Sequence, residues 1–453
     1  MQLAGKRVMV IGLGVSGFAA ARLLARHGAA LVLTDQRTDF RAAAHSHAAV
    51  QEGSESAIPA GELHVGIEDP AWLDGIDLVV TSPGVAPSSP LLREAARRRI
   101  AVIGELELAS RFIAAPIVAV TGTNGKSTVT TLIGEMFKAA GRRVFVGGNL
   151  GTPLADAVEG EFDDVVAEVS SFQLEHTERF KPRVAAHLNL AEDHLDRYRD
   201  LDEYGGAKAR IFRAQDRDDW AILNRDDPRV WSLRGTINAQ VMSFGLGPAA
   251  VMPAIGFDGR DLIFDARSRH GRIGLKGLRL AGRHNLANAM AAAAAAVVSG
   301  LELGAIEVAL ANFSGLPHRM EFVAERGGVS YIDDSKGTNV AAVVEALAAT
   351  RAPVILIAGG VDKGGDYAPL RAPLGDKVRL MILIGSARDT MRAALAGATT
   401  IELVQGLPEA VARAAAAARP GDTVLLSPAC SSFDQFKNYA ERGRIFQELV
   451  RAL

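Results

Sequence analysis

The sequence predicts an α/β fold of three domains, each built on a mostly parallel β-sheet. Two observations carry this prediction. The chain has 453 residues, 48% of them apolar, which is more than one compact core usually holds. Short apolar stretches of strand type also alternate with helix-patterned stretches along the whole chain. We expect the domains to span residues 1–104, 105–315 and 316–453.

The first domain begins with a βαβ unit. RVMVIG is typical of a strand, FAAARLLARHG of a helix and ALVLTD of a second strand, which ends in Asp35. The turn carries Gly12, Gly14 and Gly17, and their spacing to Asp35 is typical of a dinucleotide site in a doubly wound domain. The same glycines also serve tight turns and close helix packing, so a loop that binds nothing stays open. DLVVTSPG and IAVIGE predict two later strands.

The second domain opens with the strand PIVAVTG and continues into TGTNGKST, residues 121–128. The standard phosphate loop has a glycine five residues before Gly125, where this chain has Val120. The setting between an apolar strand and a helix nevertheless predicts polyphosphate binding, because backbone N–H groups and the helix N-terminus face the ligand. Lys126 would neutralise the phosphates and Ser127 would ligate Mg²⁺. An ordinary strand-to-helix turn is the alternative.

Polar side chains follow the later strands of this domain, which are predicted at RRVFVGGN, DDVVAEVSS and RVAAHLNL. Glu168 ends one of these strands, and Asp193, His194 and Asp196 follow another. Ligands bind at the carboxyl ends of strands in open α/β sheets, so these groups together with Ser127 predict a Mg²⁺ site. Taken singly, each is explained by a solvated charge or a loop hydrogen bond.

Two helical stretches receive no functional role from their pattern alone. Lys208 in LDEYGGAKARIF is predicted to be a solvated helical lysine. His284, Asn285 and Asn288 open the helix of the alanine run at residues 289–298, and capping of that helix is the simpler interpretation. The alanine run itself predicts a close-packed helix, because alanine has the highest helix propensity.

The third domain has predicted strands at VSYIDDS, VILIAGG, LMILIG and TVLLSPA. Arg319, Lys336 and Lys363 lie at or near strand ends or in short loops, which suits them to bind phosphate or carboxylate groups. Surface charge explains any one of them alone. Three polar, glycine-bearing turns on one sheet edge favour a binding site.

Composition and charge exclude several classes of protein. Lys and Arg number 50 against 52 Asp and Glu, which gives no support to a nucleic-acid or membrane-surface partner. No uninterrupted apolar stretch is long enough to span a bilayer. Cys430 is the only cysteine, so there is no internal disulfide, as suits a reducing cytoplasm. We expect a soluble, cytoplasmic protein.

A series of motifs stands in order over essentially the whole chain: GTNGKST, GGNLG, EVSSFQLE, NxxxDHLDRY, AKARIF, GRHNLANAMAA, GLPHRME and DDSKGTN. In these motifs the sequence resembles the Mur ligases, the ATP-dependent amide ligases of peptidoglycan precursor synthesis. SPGVAPSSP and the ending LSPACSSFDQFKNYAERG resemble the members that add D-glutamate to UDP-N-acetylmuramoyl-L-alanine. The resemblance implies an N-terminal Rossmann-like domain, a central P-loop ATPase-like domain with a parallel sheet, and a C-terminal Rossmann-like domain. It also implies ATP, two Mg²⁺ sites and a monomer.

The resemblance further implies a role for residues of every domain. The UDP-linked substrate would lie on Val15, Ser16, Asp35, Gln36, Arg37, Gly84 and Asn149. ATP would lie on Gly122, Thr123, Asn124, Gly125, Lys126, Ser127, Thr128, Asn285, Asn288, Arg319 and Asp334. D-glutamate would lie on Lys336, Thr338, Lys363, Ser432 and Tyr439. Mg²⁺ would lie on Ser127, Glu168 and His194.

Three of the residues, Lys126, His194 and Lys208, would take part in the chemistry. Family members carry the lysine that matches Lys208 as a carbamate formed from CO₂, which reverses the solvated interpretation. The glycine loop at residues 12–17 would hold UDP and not NAD. The stretches 38–66 and 244–272 match no motif.

Three other functions stay open on sequence grounds. The first is another amide ligase with the same ATPase core, such as a folylpolyglutamate synthetase. The second is a nicotinamide-dependent oxidoreductase that uses the loop at residues 12–17. The third is a nucleotide switch without enzymatic activity. Phosphate release that depends on a particular substrate pair separates these possibilities.

Overall fold

A computed structural model of the chain describes residues 1–37, 60–247, 251–266, 269–278 and 282–453. Within these residues, three β-sheets follow one another, with five, nine and six strands. The three-domain α/β fold predicted from sequence is thereby confirmed. The domain boundaries at 104/105 and 315/316 stay a prediction. Much of the unmatched stretch 38–66, namely residues 38–59, lies outside the described residues.

The first sheet is parallel throughout, in the order β3-β2-β1-β4-β5. Its strands are β1 (Arg7–Ile11), β2 (Ala30–Asp35), β3 (Glu62–Val65), β4 (Leu78–Thr81) and β5 (Ala101–Gly104), and its helices are α1 (Val15–Arg26) and α2 (Pro90–Arg97). All four predicted strands are present. Gly17 has a packing role, because a Cβ atom there would lie 1.9 Å from the carbonyl oxygen of Gly12.

The second sheet has the order β14-β13-β12-β11-β10-β9-β6-β8-β7. Its strands are β6 (Ile117–Thr121), β7 (Val144–Gly148), β8 (Asp164–Glu168), β9 (Val184–His187), β10 (Trp220–Asn224), β11 (Gln240–Phe244), β12 (Ala254–Phe257), β13 (Leu262–Ala266) and β14 (Arg269–Ile273). The pairs from β7 to β12 are parallel, whereas β13 and β14 are antiparallel. The described part of the unmatched stretch 244–272 therefore contributes mainly this antiparallel edge.

The helices beside the second sheet cover its faces and complete its core. They are α3 (Glu105–Ser110), α4 (Lys126–Ala139), α5 (Ser171–Glu175), α6 (Leu201–Ala209), α7 (Pro228–Ser232), α8 (Arg283–Val298) and α9 (Leu303–Asn312). The alanine run lies in α8, is buried except for the partly buried Val298, and packs against α4 and the sheet. The prediction of a close-packed helix is confirmed.

The third sheet has the order β15-β16-β20-β17-β18-β19, with only β15 antiparallel. Its strands are β15 (Glu321–Arg326), β16 (Val329–Asp333), β17 (Val354–Gly359), β18 (Val378–Ile384), β19 (Thr400–Leu403) and β20 (Thr423–Leu426). Its helices are α10 (Val340–Ala349), α11 (Arg371–Lys377), α12 (Arg388–Leu395), α13 (Leu407–Ala417) and α14 (Tyr439–Arg451). The four strands predicted for this domain are all present.

The short helix α3 fastens the first sheet to the second domain. The Glu107 carboxylate has no exposed surface, and it accepts hydrogen bonds from the backbone N–H groups of Glu178, Arg179 and Phe180 at 2.9 to 3.1 Å. Glu105 Oε1 accepts a hydrogen bond from the backbone N–H of Ala155 at 2.6 Å. These buried contacts make α3 part of the second domain's packing.

Glu105 is held in an unusual state by this packing. The side chain is buried, and its Oε2 atom has no hydrogen-bond partner among the described residues. Burial penalises the ionised form and raises the pKa of Glu105 to about 7.

In the part of the chain that the structure describes, no helix is long and apolar enough to cross a bilayer.

Candidate active site

The loop of residues 122–125 joins β6 to α4 and wraps around a lysine. The Lys126 ammonium donates hydrogen bonds to the carbonyl oxygens of Gly122 and Thr123, each at 2.9 Å. Gly125 has φ +85°, and a Cβ atom there would lie 2.4 Å from Asn288 Oδ1. Only glycine fits such a left-handed, crowded position. The helix of Asn288 thus contacts the phosphate-loop candidate directly.

The loop that follows β9 holds the phosphate-loop candidate from the other side. The backbone N–H of Asn124 donates to Asn189 Oδ1 at 2.8 Å, and Asn189 Nδ2 returns a hydrogen bond to the Asn124 carbonyl oxygen at 3.0 Å. The Thr123 N–H donates to the Asn189 carbonyl oxygen at 3.0 Å. The loop therefore keeps its shape without the glycine that the longer standard pattern has.

An acidic group lies beside the start of α4. Asn149 Nδ2 donates to Glu168 Oε1 at 2.7 Å, while Glu168 Oε2 is buried and has no hydrogen-bond partner in the described ranges. Burial alone would raise the pKa of Glu168, but the charges of Lys126 and Lys336, together with hydrogen bonds from Ser127 and Asn149, outweigh it and lower the pKa. The side chain is an ionised carboxylate with one uncommitted oxygen, which is a donor that suits Mg²⁺.

His194 follows Asp193 on the loop after β9 and has a strained conformation, with φ +57°. Its ring packs against Phe172 with 4.8 Å between centroids, and its Nε2 lies 3.8 Å from Asp193 Oδ2. Burial lowers the pKa of His194, and this effect outweighs the opposing charge of Asp193. The imidazole is therefore neutral near pH 7, the form in which histidine binds metals.

Lys208 is buried, with 1% of its surface exposed, so the prediction of a solvated helical lysine is wrong. Its ammonium donates to the carbonyl oxygen of Gly122 at 2.9 Å and lies 4.4 Å from the ring centroid of Tyr204. Burial, helped by the charge of Lys126, lowers the pKa of Lys208 well below its ordinary value. Lys126 and Lys208 thus share one carbonyl oxygen at the phosphate-loop candidate.

The third domain brings two further lysines to the same place. Lys336 Nζ donates to Ser127 Oγ at 2.7 Å, and Lys363 Nζ donates to Asp193 Oδ1 at 3.1 Å. Burial lowers the pKa of Lys336 to about 8. Three of the predicted D-glutamate residues, at positions 336, 338 and 363, lie on loops after β16 and β17, which places them opposite the phosphate-loop candidate.

The remaining residues predicted for D-glutamate come from the end of the chain. Ser432 is buried on the loop after β20. Tyr439 begins α14, and its ring centroid lies 5.2 Å from Lys336 Nζ. Burial raises the pKa of Tyr439. All five residues of this predicted set therefore lie at one edge of the third sheet.

The residues predicted for the nucleoside end of ATP come from two domains. Asn288 Nδ2 lies 3.4 Å from Asn285 Oδ1 near the start of α8. Gly282 precedes this helix and no side chain caps it in the described structure, so the capping interpretation is wrong. Asp334 is buried, accepts hydrogen bonds from Ser427 Oγ at 2.7 Å and Met320 N at 3.2 Å, and burial raises its pKa to about 6.

Arg319, the other residue of this predicted set, lies near Asp334. Its charge lowers the pKa of that carboxyl, and it also acts on Lys126 and Lys336. Arg319 lies in the linker that connects α9 to β15. The linker thus carries a cation to the point where the second and third domains meet.

A separate group of predicted residues lies at the carboxyl ends of β1, β2 and β4 in the first sheet. Asp35 Oδ2 accepts a hydrogen bond from the Leu13 N–H at 2.7 Å, and both Asp35 oxygens are bonded to the Arg37 guanidinium at 3.0 and 3.1 Å. Burial opposes ionisation of Asp35, but Arg37 outweighs it and lowers the pKa. Gln36 Nε2 donates to Glu68 Oε1 at 3.0 Å.

Val15 and Ser16 begin α1 in this group, and Gly84 lies on the exposed loop after β4. Asn149 is the exception among the residues predicted for the UDP-linked substrate, because it lies in the second domain beside Glu168. The predicted set therefore divides between two places in the molecule.

The sequence assigned no role to three residues that lie where the second and third domains meet. Arg442 has no exposed surface, and it donates to Ser335 Oγ at 2.9 Å and to the Ser335 carbonyl oxygen at 2.8 Å. It fixes the loop that carries Lys336. Asn339 contacts the phosphate-loop candidate, and His187 is buried beneath it. His187 lies within a predicted strand and Asn339 ends the motif DDSKGTN, and neither feature gave the individual residue a role.

Comparison with protein families assigns all three domains. The description "Mur ligase MurD-like, N-terminal domain" matches residues 6–104, "Mur ligase middle domain" matches 120–296, and "Mur ligase, glutamate ligase domain" matches 318–430. The chain belongs to the Mur ligase family. As a Mur ligase, it is 44% identical to the UDP-N-acetylmuramoylalanine–D-glutamate ligase of Syntrophotalea carbinolica and 45% identical to that of Geobacter metallireducens. Each alignment covers 100% of this chain and 99% of the relative.

Solved structures of two other ligases share the fold. A pseudomurein peptide ligase type C from Methanothermus fervidus superposes with a TM-score of 0.62 at 20% identity, over 99% of this chain and 100% of the other. The UDP-N-acetylmuramate-alanine ligase MurC from Thermotoga maritima gives a TM-score of 0.60 at 19% identity, over 98% and 99% of the two chains. These similarities establish the three-domain Mur ligase architecture.

Proposed function

We propose that the chain joins D-glutamate to UDP-N-acetylmuramoyl-L-alanine, with ATP hydrolysis, in peptidoglycan precursor synthesis. The observation that carries the proposal is the 44–45% identity, over the whole chain, to ligases of that name. The site geometry supports it, because lysines of the third domain meet a phosphate-loop candidate, as a reaction between a phosphorylated acid and an amino acid requires.

In this proposal ATP is bound at the start of α4. Gly122, Gly125 and the backbone N–H groups at the start of α4 surround its phosphates, and Lys126 offsets their charge. Further contacts to ATP come from Thr123, Asn124, Ser127, Thr128, Asn285, Asn288, Arg319 and Asp334. Asn288 supports this assignment because it lies against Gly125.

We assign Mg²⁺ to Ser127, Glu168 and His194, with two ions in total. The uncommitted, buried Glu168 oxygen fits this assignment, as does the neutral His194 ring. Mg²⁺ would polarise the γ-phosphate and offset charge there. Lys336 Nζ donates a hydrogen bond to the Ser127 hydroxyl in this structure. That ammonium must move aside when the hydroxyl becomes a ligand of Mg²⁺.

The two other substrates come from opposite sides of the phosphate loop. We assign UDP to Val15, Ser16, Asp35, Gln36, Arg37 and Gly84, and the muramoyl-alanyl end to Asn149 and His194. We assign D-glutamate to Lys336, Thr338, Lys363, Ser432 and Tyr439. The position of Asn149 supports its separate assignment, since it lies in the second domain and donates to Glu168.

The chemistry follows from the poor reactivity of a carboxylate. An oxygen of the alanyl carboxylate attacks the γ-phosphorus, the bond to the β-phosphate oxygen breaks, and ADP leaves with the electron pair. The neutral amine of D-glutamate then attacks the acyl carbon and forms a tetrahedral intermediate. The C–O bond to phosphate breaks as the amine loses a proton to water, and the amide and phosphate are released. Exclusion of water protects the acyl phosphate in the meantime.

We also propose that Lys208 is carbamylated. A lowered pKa supports this, because only a neutral amine attacks CO₂. The nitrogen lone pair bonds to the carbon of CO₂ and one proton leaves to water, which replaces a buried neutral amine by an anion near Lys126. We expect Lys208→Ala to lose at least about tenfold of activity, and CO₂-depleted wild type to regain activity with bicarbonate. An alanine variant with the wild-type rate would contradict this role.

Phosphate release and amide formation test the proposed function together. The wild-type protein should release phosphate from ATP only with UDP-N-acetylmuramoyl-L-alanine and D-glutamate, and mass spectrometry should detect the amide. L-glutamate and folates serve as alternative substrates. Stimulation by folate alone would show a different amide ligase, and ATP binding without turnover by any pair would show a nucleotide switch.

We propose that the enzyme acts as a monomer in the cytoplasm. All the residues assigned above come from one chain, and the single thiol, Cys430, is buried and unpaired with any other cysteine. Light scattering during size-exclusion chromatography measures the mass directly. The mass of two chains at working concentrations would contradict the monomer.

A further inference from the structure

Several hydrogen bonds join the third domain to the phosphate loop, and one of them uses a side chain without an assigned ligand. The bonds of Lys336 to Ser127 and of Lys363 to Asp193 involve groups that the proposed function gives to Mg²⁺ or D-glutamate. Those bonds must be exchanged when the substrates bind. Asn339 differs from Lys336 and Lys363 because the proposed function assigns its own side chain to no substrate; its partner Asn124 is assigned to ATP.

The Asn339 side chain is held in one orientation by its own helix. It precedes α10, and its Oδ1 accepts a hydrogen bond from the backbone N–H of Ala342 at 2.9 Å. Only 7% of the residue is exposed. Because the carbonyl oxygen faces the helix N-terminus, the amide nitrogen must point away from the helix.

The amide nitrogen points into the second domain. Asn339 Nδ2 donates to Asn124 Oδ1 at 3.1 Å and to Asp193 Oδ2 at 3.3 Å. Asn124 lies in the phosphate loop, and the Asn189 side chain is hydrogen-bonded to both its backbone N–H and its carbonyl oxygen. Asp193 precedes His194. One amide group of the third domain thus joins the phosphate loop and the loop of the predicted metal ligand.

The neighbours of Asn339 in sequence belong to the amino-acid side of the site. Thr338 precedes it directly and Lys336 lies three residues earlier, and both are assigned to D-glutamate. A displacement of Asn339 from Asn124 therefore moves these residues away from the phosphate loop. In the proposed complex, this contact would set the distance between the bound amine and the acyl phosphate.

We propose that Asn339 is a positioning residue that holds the D-glutamate side of the site against the phosphate loop while the acyl phosphate exists. The inference rests on the proposed function. With the contact in place, the amine reaches the acyl carbon first. Without it, water attacks the same carbon, the C–O bond to phosphate breaks, and the products are the original carboxylate and phosphate. ATP is then consumed without amide formation.

Asn339→Ser tests the inference, because serine keeps a helix cap but has no amide to reach Asn124 and Asp193. The matched control is Asn438→Ser. Asn438 also caps a helix, α14, with its Oδ1 2.9 Å from the Glu441 N–H, and it is exposed. The measured quantity is the ratio of phosphate released to amide formed, at saturating D-glutamate. Saturation removes any contribution from weaker amino-acid binding.

We expect a ratio near one for the wild type and for Asn438→Ser, and an increase of about fivefold or more for Asn339→Ser, the factor that one or two lost hydrogen bonds give. Equal thermal midpoints of the two variants would show that both are folded. A wild-type ratio in Asn339→Ser, or the same increase in both variants, would overturn the inference. Absence of amide from the wild type itself would overturn the proposed function, and the inference with it.

Discussion

Glu105→Gln removes the ionisation of the buried carboxyl in α3 while keeping its size and its acceptor for Ala155. The pKa of Glu105 is raised from an ordinary value of 4.5 to about 7, because burial penalises the charged form. Between these two values the unfolded chain ionises while the folded chain stays protonated. The contribution of Glu105 to the free energy of unfolding is therefore fully present below pH 4.5 and is lost as the pH rises through 7.

The size of this loss follows from the shift. A change of one pKa unit corresponds to about 1.4 kcal/mol, so the wild type loses about 2 to 3 kcal/mol relative to Glu105→Gln between pH 5 and pH 8. The glutamine side chain has no ionised form, and its amide nitrogen takes the place of the oxygen that has no partner among the described residues. At pH 5 the two proteins should be nearly equal in stability, and at pH 8 the variant should be the more stable.

Urea unfolding followed by tryptophan fluorescence measures the difference at each pH. Trp220 and Trp231 lie in the second domain, where the Glu105 side chain is buried, so they report the relevant transition. Glu135→Gln on α4 serves as the control, because the Glu135 side chain is 43% exposed. A wild-type to Glu105→Gln difference that stays constant from pH 5 to pH 8 would refute the reasoning.

Three further changes probe other buried or charged groups. His187 is buried, and mainly for that reason its pKa is lowered to about 3. The wild type should therefore lose part of its free energy of unfolding as the pH falls from 6.5 towards 3. In urea unfolding, His187→Leu should show a smaller loss between pH 7 and pH 4.5. Lys126→Ala removes the ammonium from the phosphate loop and should lower kcat for phosphate release by about 100-fold, with an unchanged circular dichroism spectrum. Asp35→Asn weakens the bonds to Leu13 and Arg37 and should raise KM for the UDP-linked substrate about tenfold at constant kcat. Three results would contradict these predictions: the acid sensitivity of the wild type in His187→Leu, the kcat of the wild type in Lys126→Ala, or the KM of the wild type in Asp35→Asn.

The strands, and the polar residues that come directly after them, could be predicted from the sequence. The predicted strands of the three sheets are all present, and the polar residues after them gather at carboxyl edges because parallel strands point the same way. Glu168, His194 and Ser127 were predicted to form a Mg²⁺ site on this basis, and that site stays a prediction.

The sequence was a poor guide to burial that depends on distant partners. Lys208 has the pattern of a solvated helix residue, but its ammonium bonds to the carbonyl oxygen of Gly122, 86 positions away. Asn339 meets Asn124 across 215 positions, and no local pattern carries such a contact. The antiparallel edge formed by β13 and β14 was also missed, because short strands there lack a motif or a long apolar run.

The packing of α3 has a consequence for how the molecule is divided. A protease or a genetic cut at the predicted boundary, 104/105, would leave Glu105 and Glu107 with the second domain, where their carboxylates bond to Ala155 and to the segment 178–180. The first domain would lose the anchor that follows its last strand. The last strand of the first domain therefore runs directly into the packing of the second domain, and a cut at 104/105 removes this connection between the two domains.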